Sequence, residues 1–152
     1  MSQPIKRHVS LQPLSRDHHH GLLLCWKIRE GFKKQIDPLR IKRYADWFWK
    51  THLAEHFRIE EEFVFPVLGN THPHVKQAIL EHRNLEELFM QTTDVSQGLS
   101  QLEAELEKHI RFEERVLFNE IQEMATAEQL AECERHHNSG VDVTNWEDEF
   151  WR

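Results

Sequence analysis

The chain contains little cysteine, glycine or proline. Its 152 residues include two cysteines, five glycines and five prolines. Cys25 and Cys133 are far apart and form no CxxC pattern, which fits free thiols in a reducing compartment better than a disulfide framework. The scarcity of Gly and Pro, with 30% charged residues, favours a compact helical protein over a β-sandwich or a disordered chain.

The chain also lacks a long apolar run and a run of basic residues. Its longest uninterrupted apolar stretch is Leu22 to Trp26, far short of the ~20 residues that a membrane helix needs. The N-terminus shows no apolar core of a signal peptide. The formal net charge of -7 with neutral histidines disfavours binding to nucleic acid or to an anionic membrane surface. We therefore expect a cytoplasmic protein with neither partner.

Apolar residues recur at helical spacing in four long segments of the chain. They predict four helices, over about residues 15–33, 37–65, 72–92 and 94–121. Ser15 is the predicted N-cap of the first helix. Asp37, which Pro38 follows, is the predicted N-cap of the second.

Four helices with one apolar face each close most simply as an antiparallel up-down-up-down four-helix bundle. A chain of this length forms about one domain, so we assign residues 1–152 to a single all-α domain. The bundle covers about residues 14–121. Residues 1–13 are predicted to be an extended arm that lies against it.

The remaining residues, about 122–152, form a C-terminal extension with two parts. Thr126 and Gln129 fit a capping box that begins a short fifth helix, which ends near His137. The acidic tail that follows, residues 141–152, carries three aromatic side chains, Trp146, Phe150 and Trp151. We expect these aromatic side chains to dock on the bundle or on a partner subunit, including a second copy of the chain.

His56 and Glu60 have the same spacing as His109 and Glu113. A His and a Glu four residues apart point the same way on a helix, so both can reach one metal ion. Imidazole nitrogen and carboxylate oxygen suit iron, manganese or zinc, and a Glu can bridge two ions where a His cannot. The spacing alone is weak evidence, since a chain with twelve histidines contains such pairs by chance. Both pairs, however, lie on apolar helix faces and are predicted to point inward.

Two further histidines interrupt the apolar faces of the other two helices. His18 lies on the face of the first helix, and His82 lies on the face of the third. His19 is an alternative to His18, because Leu22 fits the helical register of either. Burying four His and two or three Glu in an apolar core costs roughly several kcal/mol per charged group unless something compensates. A metal ion would compensate, so the pattern predicts a metal site in the core.

This ordered set resembles the hemerythrin-like, or HHE cation-binding, family, which has a His on the first helix, HxxxE on the second, His on the third and HxxxE on the fourth. The resemblance covers about residues 14–121. The matching residues are His18 in Arg16-Asp17-His18, His56 with Glu60, His82 in Glu81-His82-Arg83, and His109 with Glu113. The resemblance implies a non-haem di-iron centre, with two iron ions bridged by carboxylates and an oxo or hydroxo group. It also implies a position where dioxygen or a related small molecule binds.

The chain departs from the oxygen-carrying hemerythrins at two positions. Their third helix has a second His four residues after the first, where this chain has Glu86. Their fourth-helix acid lies five residues after the His, the position of Glu114 here, whereas Glu113 has the spacing of the wider family. We include Glu86 in the predicted ligand set, either as a ligand of iron or as a group that orients a ligand histidine.

The leading hypothesis is a di-iron protein that binds or senses dioxygen, peroxide or nitric oxide, and we expect a binding protein rather than an enzyme. A carboxylate-rich site that includes Glu86 would stabilise ferric iron, which makes a di-iron oxidase, a peroxidase or an iron-handling protein the alternative. A metal-free interaction bundle is a third hypothesis. His52 is predicted to orient a ligand or to pack in the core. The histidines predicted at the surface are His8, His72, His74, His136 and His137.

Overall fold

The computed structural model describes residues 6–137 and 145–152, which are mostly helical and contain no strand. The all-helical class predicted from the sequence is therefore confirmed. The α-helices are α1 (Gln12–Lys33), α2 (Pro38–Phe48), α3 (Ala54–Ile59), α4 (Pro73–Met90), α5 (Val95–Phe112), α6 (Phe118–Met124) and α7 (Ala127–His136).

Wider π-helical turns join several of these helices without a break in the helical path. Trp49–Leu53 joins α2 to α3, Glu60–Val64 follows α3, and Glu113–Leu117 joins α5 to α6. Two single 3-10 turns, Val9–Leu11 and Phe65–Val67, lie before α1 and after the second π turn. The predicted second and fourth helices are thus each built from α-helical pieces with π turns between or after them.

Two predicted helix starts are confirmed by their hydrogen bonds. The Asp37 side chain accepts from the backbone N–H of Leu39 at 3.0 Å, and Pro38 is the first residue of α2. Thr126 and Gln129 form the complete capping box that begins α7. Both motifs depend only on neighbouring residues, which is why the sequence located them well.

The predicted start of the first helix was wrong. Helix α1 begins at Gln12, with Pro13 in its first turn, a position that tolerates proline because its missing N–H has no helical partner there. Ser15 is therefore inside the helix, and its hydroxyl donates to the Glu114 carboxylate at 2.8 Å. The predicted extended arm is also helical at Val9–Leu11, while its first five residues lie outside the described part of the chain.

The buried apolar side chains form two separate clusters. One, the Phe48 cluster, brings together α1, α2, α4 and α5, with core members Leu24, Ile28, Phe48, Leu85, Phe89, Leu102 and Leu106. The other, the Phe65 cluster, contains Leu14, Val64, Phe65, Val75, Ala78, Leu117 and Phe118. The helices form four long paths, which are α1, α2 with α3 and the π turns beside it, α4, and α5 with α6 and the π turn between them. In each path, the buried histidine lies between residues of the two clusters.

The described part of the tail, residues 145–152, packs on the outside of α1 and α2. Phe150 is buried in the Phe48 cluster, and the ring of Trp151 lies 5.3 Å from that of Tyr44. Asp148 accepts a hydrogen bond from Arg40 at 2.6 Å. The described part of the tail therefore docks on its own chain, which is the first of the two expected arrangements. Residues 141–144 of the predicted tail lie outside the described residues.

Both cysteines are free, as predicted, and both are buried. Burial raises the pKa of the Cys25 thiol to about 12 and that of Cys133 to about 11, so both stay protonated at neutral pH. In the described part of the chain, no helix has the length and apolar character needed to cross a membrane.

Candidate metal centre

Six of the seven predicted ligands converge in the layer between the two apolar clusters. Each is at most 4% exposed. They comprise His18 on α1, His56 on α3, Glu60 at the start of the following π turn, His82 on α4, His109 on α5 and Glu113 at the start of the last π turn. Because π turns are rare and occur frequently at functional sites, their occurrence at both inward carboxylates marks this layer as a candidate site.

The six side chains form two groups that share both glutamates. His18 and His56 form one group with Glu60 and Glu113, and His82 and His109 form the other with the same two glutamates. Within each group the potential ligand atoms all lie within 4.8 Å of one another. Each carboxylate therefore lies between two pairs of imidazoles.

The distances around each glutamate show how evenly it is shared. Glu60 Oε1 lies 3.3 Å from His56 Nε2 and 3.2 Å from His82 Nε2. Glu113 Oε1 lies 3.0 Å from His18 Nε2 and 3.2 Å from His109 Nε2. Donor atoms held about 2.1 Å from one metal ion are roughly 3.0 to 3.4 Å apart, so these separations fit metal ligands.

Several buried polar atoms of the layer have no hydrogen-bond partner within the described residues. They are both carboxylate oxygens of Glu60, Glu113 Oε2, His82 Nε2 and His109 Nε2. Burying such atoms without partners costs roughly 1–3 kcal/mol each, and more for a charged group. A metal ion bound among them would remove that cost, and their nitrogen and oxygen donors fit iron, manganese or zinc.

Without a metal, protons would balance the buried carboxylates. Burial alone would lower the pKa of His56 and His109, but Glu60 and Glu113 beside them raise it to about 9 and about 10, respectively. The pKa of Glu60 is held well below its usual range by His56, His18 and His82, against the effect of burial. The metal-free layer therefore holds imidazolium and carboxylate groups side by side.

A second ring of carboxylates surrounds the four histidines, and it was not predicted from the sequence. Each histidine donates its Nδ1–H to one carboxylate oxygen. The pairs are His56 with Asp17 at 2.9 Å, His18 with Glu114 at 2.8 Å, His82 with Glu61 at 2.8 Å and His109 with Glu81 at 2.7 Å. When the rings are neutral, these bonds fix the tautomer whose Nε2 lone pair is directed inward, where a metal ion could bind.

The outer carboxylates follow a simple sequence rule. Asp17 and Glu81 immediately precede a ligand histidine, and Glu61 and Glu114 immediately follow a ligand glutamate. Each then binds the histidine of a different helical path, so the four paths are linked in a closed ring. An acid next to His18, Glu60, His82 and Glu113 was the signal that could have found them, although adjacency alone does not reveal which histidine each acid reaches.

Glu86, the seventh predicted ligand, does not join the cluster. Its side chain is 48% exposed and lies 3.8 Å from the guanidinium of Arg83. The buried face of α4 continues from His82 to Leu85, three residues on, and then to Phe89. Leu85, one position before Glu86, lies on that face, and a step of one residue turns a helical side chain by about 100 degrees, so Glu86 points away from the cluster. Within the described residues, the Glu86 side chain makes no hydrogen bond to any of the four buried histidines.

The choice between His18 and His19 is decided by burial. His18 is 4% exposed and faces the cluster, whereas His19 is exposed. His52 lies outside the cluster, with Nε2 3.6 Å from Asp17 Oδ1, and burial lowers its pKa to about 4. His52 is thus a largely packed side chain beside an outer carboxylate.

His137 was predicted at the surface, and this prediction was wrong. Its side chain is 8% exposed, and Nε2 donates to Asp17 Oδ2 at 2.7 Å. Helix α7 brings it there by packing over the π turn after α3, where Cys133 Sγ donates to Phe63 O at 3.3 Å and the His136 ring stacks on the Phe63 ring. The C-terminal extension therefore reaches the outer ring of the site.

A cavity of about 210 Å³ adjoins the site between α4 and α5. It is lined by Glu81, Asn84, Leu85, Glu105, Lys108 and His109.

Comparisons of the chain with protein-family models, with curated proteins and with solved structures found no match. We therefore infer the function from the geometry of the buried layer.

Proposed function

We propose that the chain is a hemerythrin-like protein whose core holds two iron ions and that it binds or senses a small redox ligand. The observation that carries the proposal is the sharing of Glu60 and Glu113 between two pairs of histidines. A carboxylate can bridge two ions, and facing helices of a bundle commonly supply such ligands. Each ion would receive two imidazoles and two shared carboxylates, fewer donors than a six-coordinate ion accepts.

The order of the two apolar clusters along the chain supports an antiparallel up-down-up-down four-helix bundle. From α1 to α6, the four long paths meet the clusters in alternating order. The first and third begin in the Phe65 cluster, with Leu14 and Val75, whereas the second and fourth begin in the Phe48 cluster, with Ile41 and Leu99. Such alternation is expected when neighbouring helices run in opposite directions.

The chain's own groups would orient the metal ligands and exclude water. The outer carboxylates hold the imidazoles, and aromatic rings cover them. Phe57 stacks on His82 with ring centroids 3.8 Å apart, and Phe118 stacks on His18 at 5.2 Å. The iron pair would supply the redox chemistry, and the cavity beside His109 supports access for a molecule as small as dioxygen, peroxide or nitric oxide.

The position of Glu86 favours ligand binding over the oxidase, peroxidase or iron-handling alternative. Those activities would be favoured by a carboxylate-rich site that stabilises ferric iron. With Glu86 at the surface, the proposed inner set has four imidazoles and two carboxylates. That set is richer in neutral nitrogen donors, so it stabilises ferric iron less and suits a reversible ligand complex better.

The first test is the iron content of full-length protein made in iron-sufficient cells. We expect about two irons per chain. Glu60→Ala should lose most of this iron, because it removes a ligand from both proposed ions, whereas Glu62→Ala should retain it. Glu62 is a matched control in the same π turn, 52% exposed and paired with Arg58. Equal iron in both variants, or none in the parent protein, would overturn the proposal.

The second test separates a binding protein from an enzyme. Ferrous protein should be mixed rapidly with dioxygen and then degassed while its visible spectrum is recorded. A binding protein is expected to form a spectrum that reverses when the gas is removed. Repeated peroxide consumption, or an irreversible ferric product, would instead favour the enzyme. Thermal stability that is unchanged by chelation would favour the metal-free interaction bundle.

A further inference from the structure

Three metal-ligating side chains also meet at the N-terminal end of α4, outside the buried layer. His72 Nε2 lies 3.3 Å from Glu120 Oε2, and His74 Nδ1 forms a short contact with Glu120 Oε1. One ligand atom from each of the three residues lies within 4.8 Å of the others. Two imidazoles and a carboxylate thus converge from α4, its N-cap and α6.

This cluster is separate from the six buried ligands. His74 precedes His82 by eight residues on α4, a rise of roughly 12 Å. Glu120 follows Glu113 by seven residues, about two helical turns. No residue belongs to both groups, so binding at one position does not use a ligand of the other.

The surrounding structure holds the two imidazoles close together. His72 is the N-cap of α4, and its Nδ1 accepts from the backbone N–H of His74 at 3.1 Å. The His74 ring packs edge-on against Phe112, with ring centroids 5.7 Å apart. The side chains of His72 and His74 are 28% and 40% exposed, respectively. An ion and its remaining water ligands can therefore reach a cluster that is partly assembled.

We propose that His72, His74 and Glu120 bind one divalent transition-metal ion, of the class of Zn²⁺, Ni²⁺, Co²⁺ or Cu²⁺. Imidazole donors suit these ions, and one carboxylate adds charge compensation. The 3.3 Å separation of His72 Nε2 and Glu120 Oε2 is close to the roughly 3.4 Å between donors about 2.1 Å from one ion in a tetrahedral site. Water completes the coordination on the exposed side.

Binding at His72 has a definite energetic cost. Its Nδ1 accepts a hydrogen bond in the helix cap, which places the ring proton on Nε2. Ligation through Nε2 moves that proton to Nδ1 and removes the cap, a loss of about 1 kcal/mol or roughly fivefold in affinity. Two imidazoles and a carboxylate on one ion offset a loss of that size, so the site remains competent.

Helix α7 offers a matched control. His136 Nε2 lies 3.2 Å from Glu132 Oε1, and both side chains are exposed to a similar degree. This pair has a His and a Glu at contact distance but lacks the second imidazole. It is expected to bind such ions weakly by comparison.

The test uses full-length protein, loaded with iron first, and Zn²⁺ as the probe in a calorimetric titration. We expect one zinc ion per chain beyond the iron. His74→Ala and His72→Asn should each weaken its binding by roughly tenfold or more, while His136→Ala leaves it unchanged. Asn retains a good N-cap, so His72→Asn removes the imidazole without unfolding the start of α4.

The Glu60→Ala protein keeps this test distinct from the test of the buried centre. It should lose buried iron and still bind zinc at the surface cluster. Zinc affinity equal to that of the parent protein in both folded His72 and His74 variants would overturn the proposal. Zinc binding that disappears only in the Glu60→Ala protein would also overturn the proposal. Circular dichroism of each variant shows whether it is folded.

Discussion

Each inner histidine is held by a carboxylate that is the sequence neighbour of another inner ligand. The bond between His109 Nδ1 and Glu81 is the shortest of the four, at 2.7 Å. Glu81 also accepts from Gln77 at 3.0 Å. A carboxylate in this position fixes the ring and makes the opposite nitrogen a stronger metal donor. The outer carboxylates are therefore expected to control metal affinity without touching the metal.

Replacing Glu81 tests this expectation at the scale of one residue. Glu81→Gln retains the size of the side chain but removes its negative charge from the His109 ring. We expect metal affinity to fall about tenfold, within the 10–100-fold range usual for such partners, because Glu81 is partly exposed. Competition with a chelator measures the change.

Glu86→Gln is the matched control, a neutralised glutamate on the same helix at the surface. It should leave the affinity within about twofold. A loss as large as that of Glu81→Gln would show that Glu86 acts on the metal after all, and would restore the carboxylate-rich site.

At the scale of elements, the close approach of α1 to α2 depends on Gly31. A Cβ at this position would lie 2.6 Å from Ile41 Cδ1 and 3.1 Å from Phe150 Cε1. Separations this short require the neighbours to move. Ile41 and Phe150 are both buried in the Phe48 cluster, so neither has free space to move into.

We expect Gly31→Ala to destabilise the protein by about 1–3 kcal/mol through overpacking, despite the higher helix propensity of alanine. Adding Ile41→Val removes the Cδ1 atom but retains a γ carbon where Ile41 Cγ1 would lie 2.9 Å from the new Cβ, so it should recover only part of the loss, which a double-mutant cycle by chemical denaturation would measure. Gly98→Ala is the control, because its Cβ would meet the end of the Gln91 side chain. If Gly31→Ala were as stable as Gly98→Ala, the close approach would be refuted.

At the scale of the whole molecule, the buried layer joins the two apolar clusters and carries much of the charge inside the protein. Its carboxylates need either protons on the neighbouring imidazoles or metal ions. These two ways of balancing charge respond to pH in opposite directions, because metal binding releases protons from the ligands. The stability of the protein should therefore report which of them is present.

The metal-free protein is expected to lose stability as pH rises from about 6.5 to 8.5. The raised pKa values of His56 and His109, about 9 and about 10, exceed the ~6.5 of an unfolded histidine. The folded state then binds more protons, so its advantage is complete below about pH 6.5 and declines toward pH 10. Thermal denaturation across this range measures the slope.

The iron-loaded protein, studied in the same buffers, should show a flat or rising stability over this window, since its histidines are already neutral ligands. Stopping at about pH 8.5 limits the contribution of Cys25 and Cys133, because unfolded thiols, with a pKa of ~8.5, are at most about half ionised there. A gain in the stability of the metal-free protein toward pH 8.5 would contradict the expectation that protons on the buried imidazoles balance the carboxylates.

The sequence by itself determined the helical class, the caps at Asp37 and Thr126, and the inward face of five ligands, which are His56, Glu60, His82, His109 and Glu113. These depend on local hydrogen bonds and on a 3.6-residue period, which neighbouring residues specify. The helical period was less reliable for Glu86, one position from the buried Leu85. An error of one position moves a helical side chain by about 100 degrees, enough to separate a ligand from a surface ion pair.

Only the tertiary structure decided which groups meet across helices. It paired Asp17 with His56 and Glu81 with His109, brought His137 from the C-terminal extension to Asp17, and placed Glu120 beside His72. Such pairs are separated by up to 120 residues, and their formation depends on how whole helices pack. A local pattern shows which way a side chain points, whereas the packing of the helices determines what it reaches.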